Sequence, residues 1–192
     1  MEVGGASAGL SSQADKRVFR LLRMVCDALM VGAGTFRREN YKPLTLDPDR
    51  RAWRAARGLS RYPQMVVVSK SLELDPDHPA LAGALILTTG GADNPALVRV
   101  AEIVRCDDLA HGLELLRSKG FGHILCEGGP GLFGELTALD LVDEVCLTLS
   151  PLLAGPGAGR ITAGAPHAPR GMRLAHILTA DDGNVLMRHV RR

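Results

Sequence analysis

The sequence lacks the features that mark several common classes of protein. Its net charge is only +2 over 192 residues, so no excess of positive charge points to nucleic acid. No apolar run is long enough to cross a membrane, and the first residues do not form a signal peptide. Four cysteines without a C-x-x-C pair match neither a zinc site nor a disulfide framework. We therefore expect a soluble cytoplasmic protein that uses no metal, nucleic acid or membrane.

The order of apolar segments predicts the fold class. Short buried strands, such as residues 64–68, alternate with segments of helical period as far as residue 150. This order predicts one α/β domain over residues 1–192, with three layers and a mostly parallel mixed sheet in the middle. The Asp-Asp-Gly turn at residues 181–183 predicts a C-terminal antiparallel hairpin, which we expect at one edge of that sheet.

Residue types typical of helix N-termini mark two further helices. Thr35 is expected to cap a short helix over residues 36–39. Asp47 and Pro48 are expected to cap and open a basic helix that continues to residue 57. The arginines of this basic helix are interpreted as a solvated face rather than as a binding patch.

A strand that breaks into glycine and then opens a helix occupies residues 123–136. Backbone N–H groups at such a turn lie at the positive end of a helix dipole, which suits a phosphate or pyrophosphate. Glycine accepts a positive φ there and allows a ligand to approach the backbone closely. Glu127, at the end of the strand, would point its carboxylate into the bordering cleft. The alternative is an ordinary strand-to-helix turn without a ligand.

Four of the predicted strands end in polar or glycine-rich residues, and in a parallel sheet such ends meet at one edge. These ends are residues 32–35, 69–70, 88–90 and 127–129. Together they describe a nucleotide-sized site, although the sequence has neither a P-loop motif nor a complete G-x-G-x-x-G fingerprint. Ser69 and Lys70 offer a hydroxyl and a cation, which favours the phosphorylated ribose of NADP over a plain diol. An ordinary strand end is the alternative for this pair.

These motifs resemble the reductase domain of riboflavin biosynthesis, the pyrimidine reductase family, which shares the dihydrofolate reductase fold. The resemblance rests on DALMVGAGTFR at residues 27–37, VVVSK at 66–70 and ILCEGGPGL at 124–132, with LR at 22–23 and SPLLAG at 150–155. It implies an oxidoreductase that uses NADPH to reduce 5-amino-6-(5-phosphoribosylamino)uracil, opening the ribose to a ribityl chain. We also expect a homodimer.

The resemblance implies a set of cofactor contacts. Thr35 and Glu39 would lie near the nicotinamide half, and Ser69 with Lys70 would contact the phosphate on the adenosine ribose. The loop at the pyrophosphate would comprise Gly128, Gly129, Pro130, Gly131 and Leu132.

The resemblance also implies a set of substrate contacts. Ser7 and Arg23 would contact the substrate phosphate, for which arginine offers a fork of donors. Glu127 would contact the pyrimidine, since a carboxylate can accept hydrogen bonds from its amino groups.

The chain departs from the family pattern in two places. Family members begin with a strand that ends in a Ser-Leu-Asp-Gly-like segment, whose aspartate is at the catalytic centre of some of them. Met1 already lies beyond that segment, so we expect the catalytic aspartate upstream of Met1, on a longer native polypeptide. Residues 40–44 lack a counterpart of the family's second phosphate-binding arginine, which leaves a pterin substrate open. A further alternative is an inactive NADP-binding paralogue.

Overall fold

The computed structural model describes residues 11–153 and 159–192, which form six α-helices and eight β-strands. The helices are α1 (Gln13–Val25), α2 (Ala33–Arg38), α3 (Pro48–Ala55), α4 (Pro95–Val98), α5 (Leu109–Ser118) and α6 (Pro130–Ala138). The strands are β1 (Ala28–Gly32), β2 (Gln64–Val68), β3 (Leu85–Thr88), β4 (Glu102–Arg105), β5 (Ile124–Cys126), β6 (Glu144–Leu149), β7 (Met172–Thr179) and β8 (Val185–Arg191).

The first five strands form a parallel sheet in the order β4-β3-β2-β1-β5. Strands β1, β2 and β3 lie in its interior and are continuous apolar runs, as expected where both faces of a sheet are covered. Because all four pairings are parallel, the carboxyl ends of the five strands lie at the same edge. Ligands of parallel α/β sheets bind at this edge.

Alternate residues of the central strands divide the hydrophobic core into two layers. On one face, Val31 packs in a cluster with Phe36 of α2 and Leu97 of α4. On the other face, Met30 packs in a cluster with side chains of α5 and α6, among them Leu136. This arrangement gives the predicted layered α/β architecture around a mostly parallel sheet.

The last three strands form a second, antiparallel sheet in the order β6-β8-β7. The predicted hairpin is present, and its turn is closed by Asn184, whose N–H and Nδ2 groups donate to Asp182 Oδ1 over 3.1 and 2.8 Å. Its expected place at an edge of the parallel sheet is wrong, because β8 pairs with β6 instead. Within residues 11–153 and 159–192, no strand joins β5 to β6.

Side-chain caps determine where most of the helices begin. Ser12 Oγ accepts from the N–H of Asp15 over 3.2 Å and caps α1. Asp47 accepts from the N–H of Arg50 over 2.9 Å, so α3 begins as predicted. Thr35 is not a cap, because α2 already begins at Ala33 and Thr35 lies inside it. The tight link between β1 and α2 leaves no room for the extra residues that the prediction assumed.

The interpretation of the α3 arginines as a solvated face is wrong for Arg54. Its side chain is fully buried, at 0% relative exposure. Its Nη1 group donates to the carbonyls of Met24 and Cys26, over 2.8 and 2.6 Å. Its Nε group donates to the carbonyl of Ser60 over 2.7 Å. Arg54 therefore satisfies carbonyls at the C-terminal end of α1, which the helix itself leaves without partners.

None of the helices in the described part of the chain is long and apolar enough to span a membrane. The same residues contain no group of three or more metal-ligating side chains. All four cysteines are free.

Candidate functional site

The two glycine turns predicted from sequence lie side by side at the carboxyl edge of the sheet. The N–H of Gly32 donates to the carbonyl of Gly128 over 2.8 Å, and the N–H of Glu127 donates to the carbonyl of Met30 over 2.9 Å. These bonds continue the β1–β5 ladder past the last paired residues. The turn after β1 and the turn after β5 therefore form one continuous surface.

The ends of β2 and β3 join this surface on its other side. The N–H of Ser69 donates to the carbonyl of Leu87 over 3.0 Å. A Cβ atom added to Gly90 would lie 2.2 Å from the carbonyl oxygen of Lys70, so only glycine fits there. The four polar strand ends expected from sequence thus meet at one edge, in the order β3-β2-β1-β5.

The glycine loop after β5 leaves the first turn of α6 open to a ligand. Gly129 is the N-cap residue, and as a glycine it offers no side chain to accept from the N–H groups of this turn. Pro130 has no N–H, so the donors that lack a partner among the described residues are the backbone groups of Gly131 and Leu132. A Cβ added to Gly131 would meet nothing within 4 Å, so the space beside this residue is open. An uncapped helix start beside open space fits a phosphate.

The two adjacent glycines of the loop have different backbone conformations. Gly128 has the positive φ expected of a glycine in this turn, at 80°. Gly129 has φ −79°, and it is needed for a different reason. A Cβ on Gly129 would lie 2.2 Å from Thr35 Oγ1, so this glycine allows α2 to pack directly against the loop. The peptide bond between Gly128 and Gly129 is cis.

Three other residues predicted to contact the cofactor lie in α6, within α2 and at the C-terminal end of α2. The side chain of Leu132 is buried in the core, so only its backbone faces the loop. Thr35 lies in α2 against Gly129. Glu39 is the C-cap residue of α2, at the far end of the same short helix.

Ser69 and Lys70 have different environments although they are adjacent. Ser69 is buried, and its Oγ accepts from the N–H of Leu72 over 3.1 Å, which leaves its hydroxyl hydrogen for another acceptor. Lys70 is exposed, and its Nζ lies 3.5 Å from Glu135 Oε2 on α6. A cation at this distance is weakly held and can turn to a ligand anion.

Arg23 and Glu127, which the resemblance assigned to different parts of the substrate, bond to each other. Arg23 Nε donates to Oε1 and Nη2 donates to Oε2 of Glu127, over 2.6 and 2.7 Å. The Glu127 side chain is only 2% exposed, whereas that of Arg23 is 32% exposed. This bidentate geometry is the strong form of a charged pair.

Tyr41 completes this group and was missed by sequence reasoning. Its hydroxyl donates to Glu127 Oε2 over 2.6 Å, and its ring lies 5.9 Å from the Arg23 guanidinium carbon. Residues 40–44 contain no arginine, and Tyr41 is the residue of this segment that contacts the site. A tyrosine just after the helix that carries Thr35 was the available signal.

The charges of this group follow from its burial. Burial and the neighbouring Glu127 carboxylate raise the pKa of Tyr41 far above its ordinary value, so its hydroxyl keeps the donated proton. Burial alone would lower the pKa of Arg23, but the hydrogen bonds and charge of Glu127 outweigh it and raise that pKa. Burial raises the pKa of the adjacent Cys126 thiol to about 11, so it is no thiolate nucleophile at neutral pH.

Ser7 lies outside the described residues. Of the residues predicted for the substrate, the structure therefore brings together Arg23 and Glu127. Of those predicted for the cofactor, it places Thr35, Ser69, Lys70 and the glycine loop along one edge.

A family model described as the RibD C-terminal domain matches residues 2–186. The chain belongs to this family. RibD C-terminal domain membership over nearly the whole chain confirms the resemblance that its motifs suggested. It also confirms, at the level of the family, that the chain is an oxidoreductase.

Two curated archaeal relatives have the same name, 2,5-diamino-6-ribosylamino-4(3H)-pyrimidinone 5′-phosphate reductase. The protein of Methanothermobacter thermautotrophicus is 29% identical over 159 residues, which cover 78% of this chain and 70% of the relative. The protein of Archaeoglobus fulgidus is 26% identical over 156 residues, covering 76% and 71% respectively.

Solved structures of RibD-type proteins share the fold. A pyrimidine reductase-like protein from Corynebacterium diphtheriae superposes with a TM-score of 0.88 at 24% identity, covering 98% of this chain and 85% of that one. A bifunctional deaminase/5-amino-6-(5-phosphoribosylamino)uracil reductase from Thermotoga maritima superposes with a TM-score of 0.72 at 20% identity, covering 98% and 51%. These likenesses confirm the predicted fold class.

Proposed function

We propose that this protein is an NADPH-dependent reductase of a phosphorylated ribosylaminopyrimidine. The observation that carries the proposal is the meeting of an uncapped α6 N-terminus and a half-buried Arg23–Glu127 pair at one sheet edge, in a chain of the RibD C-terminal domain family. NADPH would supply the hydride that reduces the ribose carbon to a ribityl chain. The protein supplies binding and orientation.

The proposed cofactor position follows the described donors. The N–H groups of Gly131 and Leu132 would hold the pyrophosphate, with Thr35 beside the loop. Ser69 and Lys70, at the end of the neighbouring strand β2, would hold the phosphate on the adenosine ribose. An open first turn, a buried hydroxyl that can donate its hydrogen and an exposed cation support this assignment.

Glu127 is the proposed contact to the pyrimidine. An ionised carboxylate offers about four acceptor positions, and three are used by Arg23 and Tyr41. One position remains for an amino group of the ring. The names of the archaeal relatives favour a 2,5-diaminopyrimidinone as the substrate, whereas the resemblance implied the corresponding uracil. The two rings differ in the group at position 2.

The function is tested by NADPH oxidation with the purified protein and three substrates. We expect turnover of the diaminopyrimidinone or uracil ribosylamine phosphate, and none of dihydrofolate. Turnover of dihydrofolate alone would replace the pyrimidine assignment with the pterin alternative. Cofactor binding without turnover of any of the three would favour an inactive paralogue.

A second test concerns cofactor choice. Replacing Lys70 by alanine should weaken NADPH binding about tenfold and leave NADH binding unchanged, because one charge-assisted hydrogen bond at an exposed site is lost. Titration of both cofactors against the wild type and Lys70→Ala measures this. Lys42→Ala, at an exposed lysine in the loop after α2, is the matched control. Equal affinities of the wild type for NADPH and NADH would remove the basis for the assignment.

We also propose that the enzyme is a cytoplasmic homodimer. Large apolar side chains remain exposed on the second sheet, namely Leu147, Leu149, Leu174, Ile177 and Leu178. Exposed apolar patches of this kind commonly mark interfaces between proteins. Four free cysteines are in keeping with a reducing compartment.

A further inference from the structure

Tyr41 connects the hydrophobic core to the carboxylate of Glu127. Its ring packs against the core cluster that contains Phe36 of α2. The two rings stack with their centroids 5.8 Å apart and their planes at 20°, and Phe36 is itself only 2% exposed. At the other end of the Tyr41 ring, the hydroxyl donates to Glu127 Oε2 over 2.6 Å. The packed ring therefore fixes the position from which the hydroxyl donates.

The backbone after α2 turns so that Tyr41 returns toward the site. Glu39 is the C-cap residue of α2, and the next residue, Asn40, has a left-handed φ of 46°. Asparagine accepts this conformation more readily than most residues other than glycine. The N–H of Tyr41 then donates to the carbonyl of Phe36 over 3.4 Å. The end of this short helix thus holds both the backbone and the ring of Tyr41 against Phe36.

Arg23 and Tyr41 use different acceptor positions of the Glu127 carboxylate. Arg23 donates once to Oε1 and once to Oε2, and the Tyr41 hydroxyl adds a second bond to Oε2. Each oxygen of a carboxylate accepts about two hydrogen bonds. Oε2 is therefore fully used, and the remaining acceptor position is on Oε1. Since the side chain of Glu127 is only 2% exposed, few directions of approach to Oε1 are left.

We propose that Tyr41 is a positioning residue, whose hydroxyl fixes the plane of the Glu127 carboxylate and thereby the orientation of the pyrimidine ring bonded to Oε1. This inference rests on the proposed reductase function. Arg23 holds both oxygens, but its long side chain is 32% exposed, so the pair can tilt as a unit. A second donor on a packed ring removes this freedom. In hydride transfer, a small misplacement of the reacting atoms slows the reaction strongly.

The variant that separates the hydroxyl from the ring is Tyr41→Phe, because phenylalanine keeps the stacking on Phe36. We expect kcat with the phosphorylated ribosylaminopyrimidine to fall about tenfold or more, and KM to change less than about threefold, since orientation rather than affinity is lost. The affinity for NADPH should not change, because no proposed cofactor contact involves this hydroxyl. Tyr62→Phe, at the only other tyrosine of the chain, is the matched control and should keep both constants.

Three kinetic outcomes would contradict the proposal in different ways. An unchanged kcat in Tyr41→Phe, with an active wild type, overturns the role of Tyr41 and leaves the reductase function standing. A raised KM at constant kcat also overturns it, because the hydroxyl would then be a direct contact to the substrate. Absence of turnover by the wild type overturns the reductase function together with the role of Tyr41 in it.

Ultraviolet titration of the phenol tests the contact between Tyr41 and Glu127 without any turnover. In Tyr62→Phe, Tyr41 is the single tyrosine, so its ionisation is observed alone. Burial raises the pKa of Tyr41, the charge and hydrogen bond of Glu127 raise it further, Arg23 opposes them and Glu39 adds a smaller increase. The phenol should therefore stay protonated up to about pH 11, above the ordinary pKa of about 10.

Adding Glu127→Gln to Tyr62→Phe should move the ionisation of Tyr41 down by about one pH unit or more, because the neighbouring negative charge is lost. Such a shift supports the contact on which the proposed positioning depends. A phenol that ionises near pH 10 in Tyr62→Phe, or at the same pH with and without Glu127→Gln, would show that Glu127 does not hold the hydroxyl and would overturn the proposal.

Discussion

Replacing Arg54 by methionine should lower the free energy of unfolding by about 3–5 kcal/mol. The substitution keeps an apolar stem of similar length but leaves the carbonyls of Met24, Cys26 and Ser60 without their donors. The bond to Cys26 is buried and those to Met24 and Ser60 are partly buried, and an acceptor left without a partner inside the protein costs about 1–3 kcal/mol. Urea unfolding followed by circular dichroism measures the change.

The matched control is Arg57→Met at the end of the same basic segment. Arg57 is exposed and stacks on Trp53 at 3.8 Å, a contact that contributes about 0.5–1 kcal/mol at such a site. Arg54→Lys should recover little, because an ammonium group cannot reach carbonyls on both sides as the planar fork does. A loss below about 1 kcal/mol in Arg54→Met would show that water replaces the guanidinium without cost.

Replacing Gly129 by alanine should weaken NADPH binding at least about 100-fold, or about 2.7 kcal/mol. The new Cβ would lie 2.2 Å from Thr35 Oγ1, so either α2 or the loop must move. Either movement displaces the N–H groups that would hold the pyrophosphate. Valine should act more strongly because its branched side chain is larger. Fluorescence titration with NADPH measures the loss, and thermal unfolding shows how much of the fold is retained.

Two further variants identify the cause of that loss. Gly122→Ala, at the other end of β5, puts a Cβ no closer than 3.7 Å to any neighbour and should bind NADPH normally. Thr35→Ala combined with Gly129→Ala removes the clashing hydroxyl and should restore part of the thermal stability. Normal NADPH binding by Gly129→Ala would reduce the loop to a structural turn and end the assignment of the pyrophosphate.

Local features were predictable because their causes lie within a few residues of each other in the chain. The caps Ser12 and Asp47 bond to N–H groups three residues away, so sequence spacing alone locates these helix starts. Strands that alternate with helices pair in parallel, so their carboxyl ends lie at one edge of the sheet. The glycine turns that follow these strands therefore lie at the same edge. The family could be identified from the sequence for the same reason, because each of its motifs is a contiguous run of residues at the end of a strand.

Thr35 and the C-terminal hairpin show where local signals were insufficient. A threonine after a glycine pair satisfies the pattern of an N-cap, but the turn after β1 starts the helix three residues earlier than predicted, at Ala33. A turn signal predicts a hairpin without naming the strand beside it. The second partner of β8 is β6, a strand outside the parallel sheet, and nothing in the turn specifies that pairing.

The sequence by itself thus determined the family, the layered α/β fold and the sheet edge that carries the site. Only the tertiary structure decided which charged groups pair there. Arg23 meets Glu127 across 104 residues of chain, and Tyr41 meets the same carboxylate across 86. The composition of α3 is typical of a solvated helix, yet its residue Arg54 is buried against the end of α1. Spacing along a chain specifies hydrogen bonds within a turn, whereas the partner of a long charged side chain depends on which surfaces packing brings within its reach.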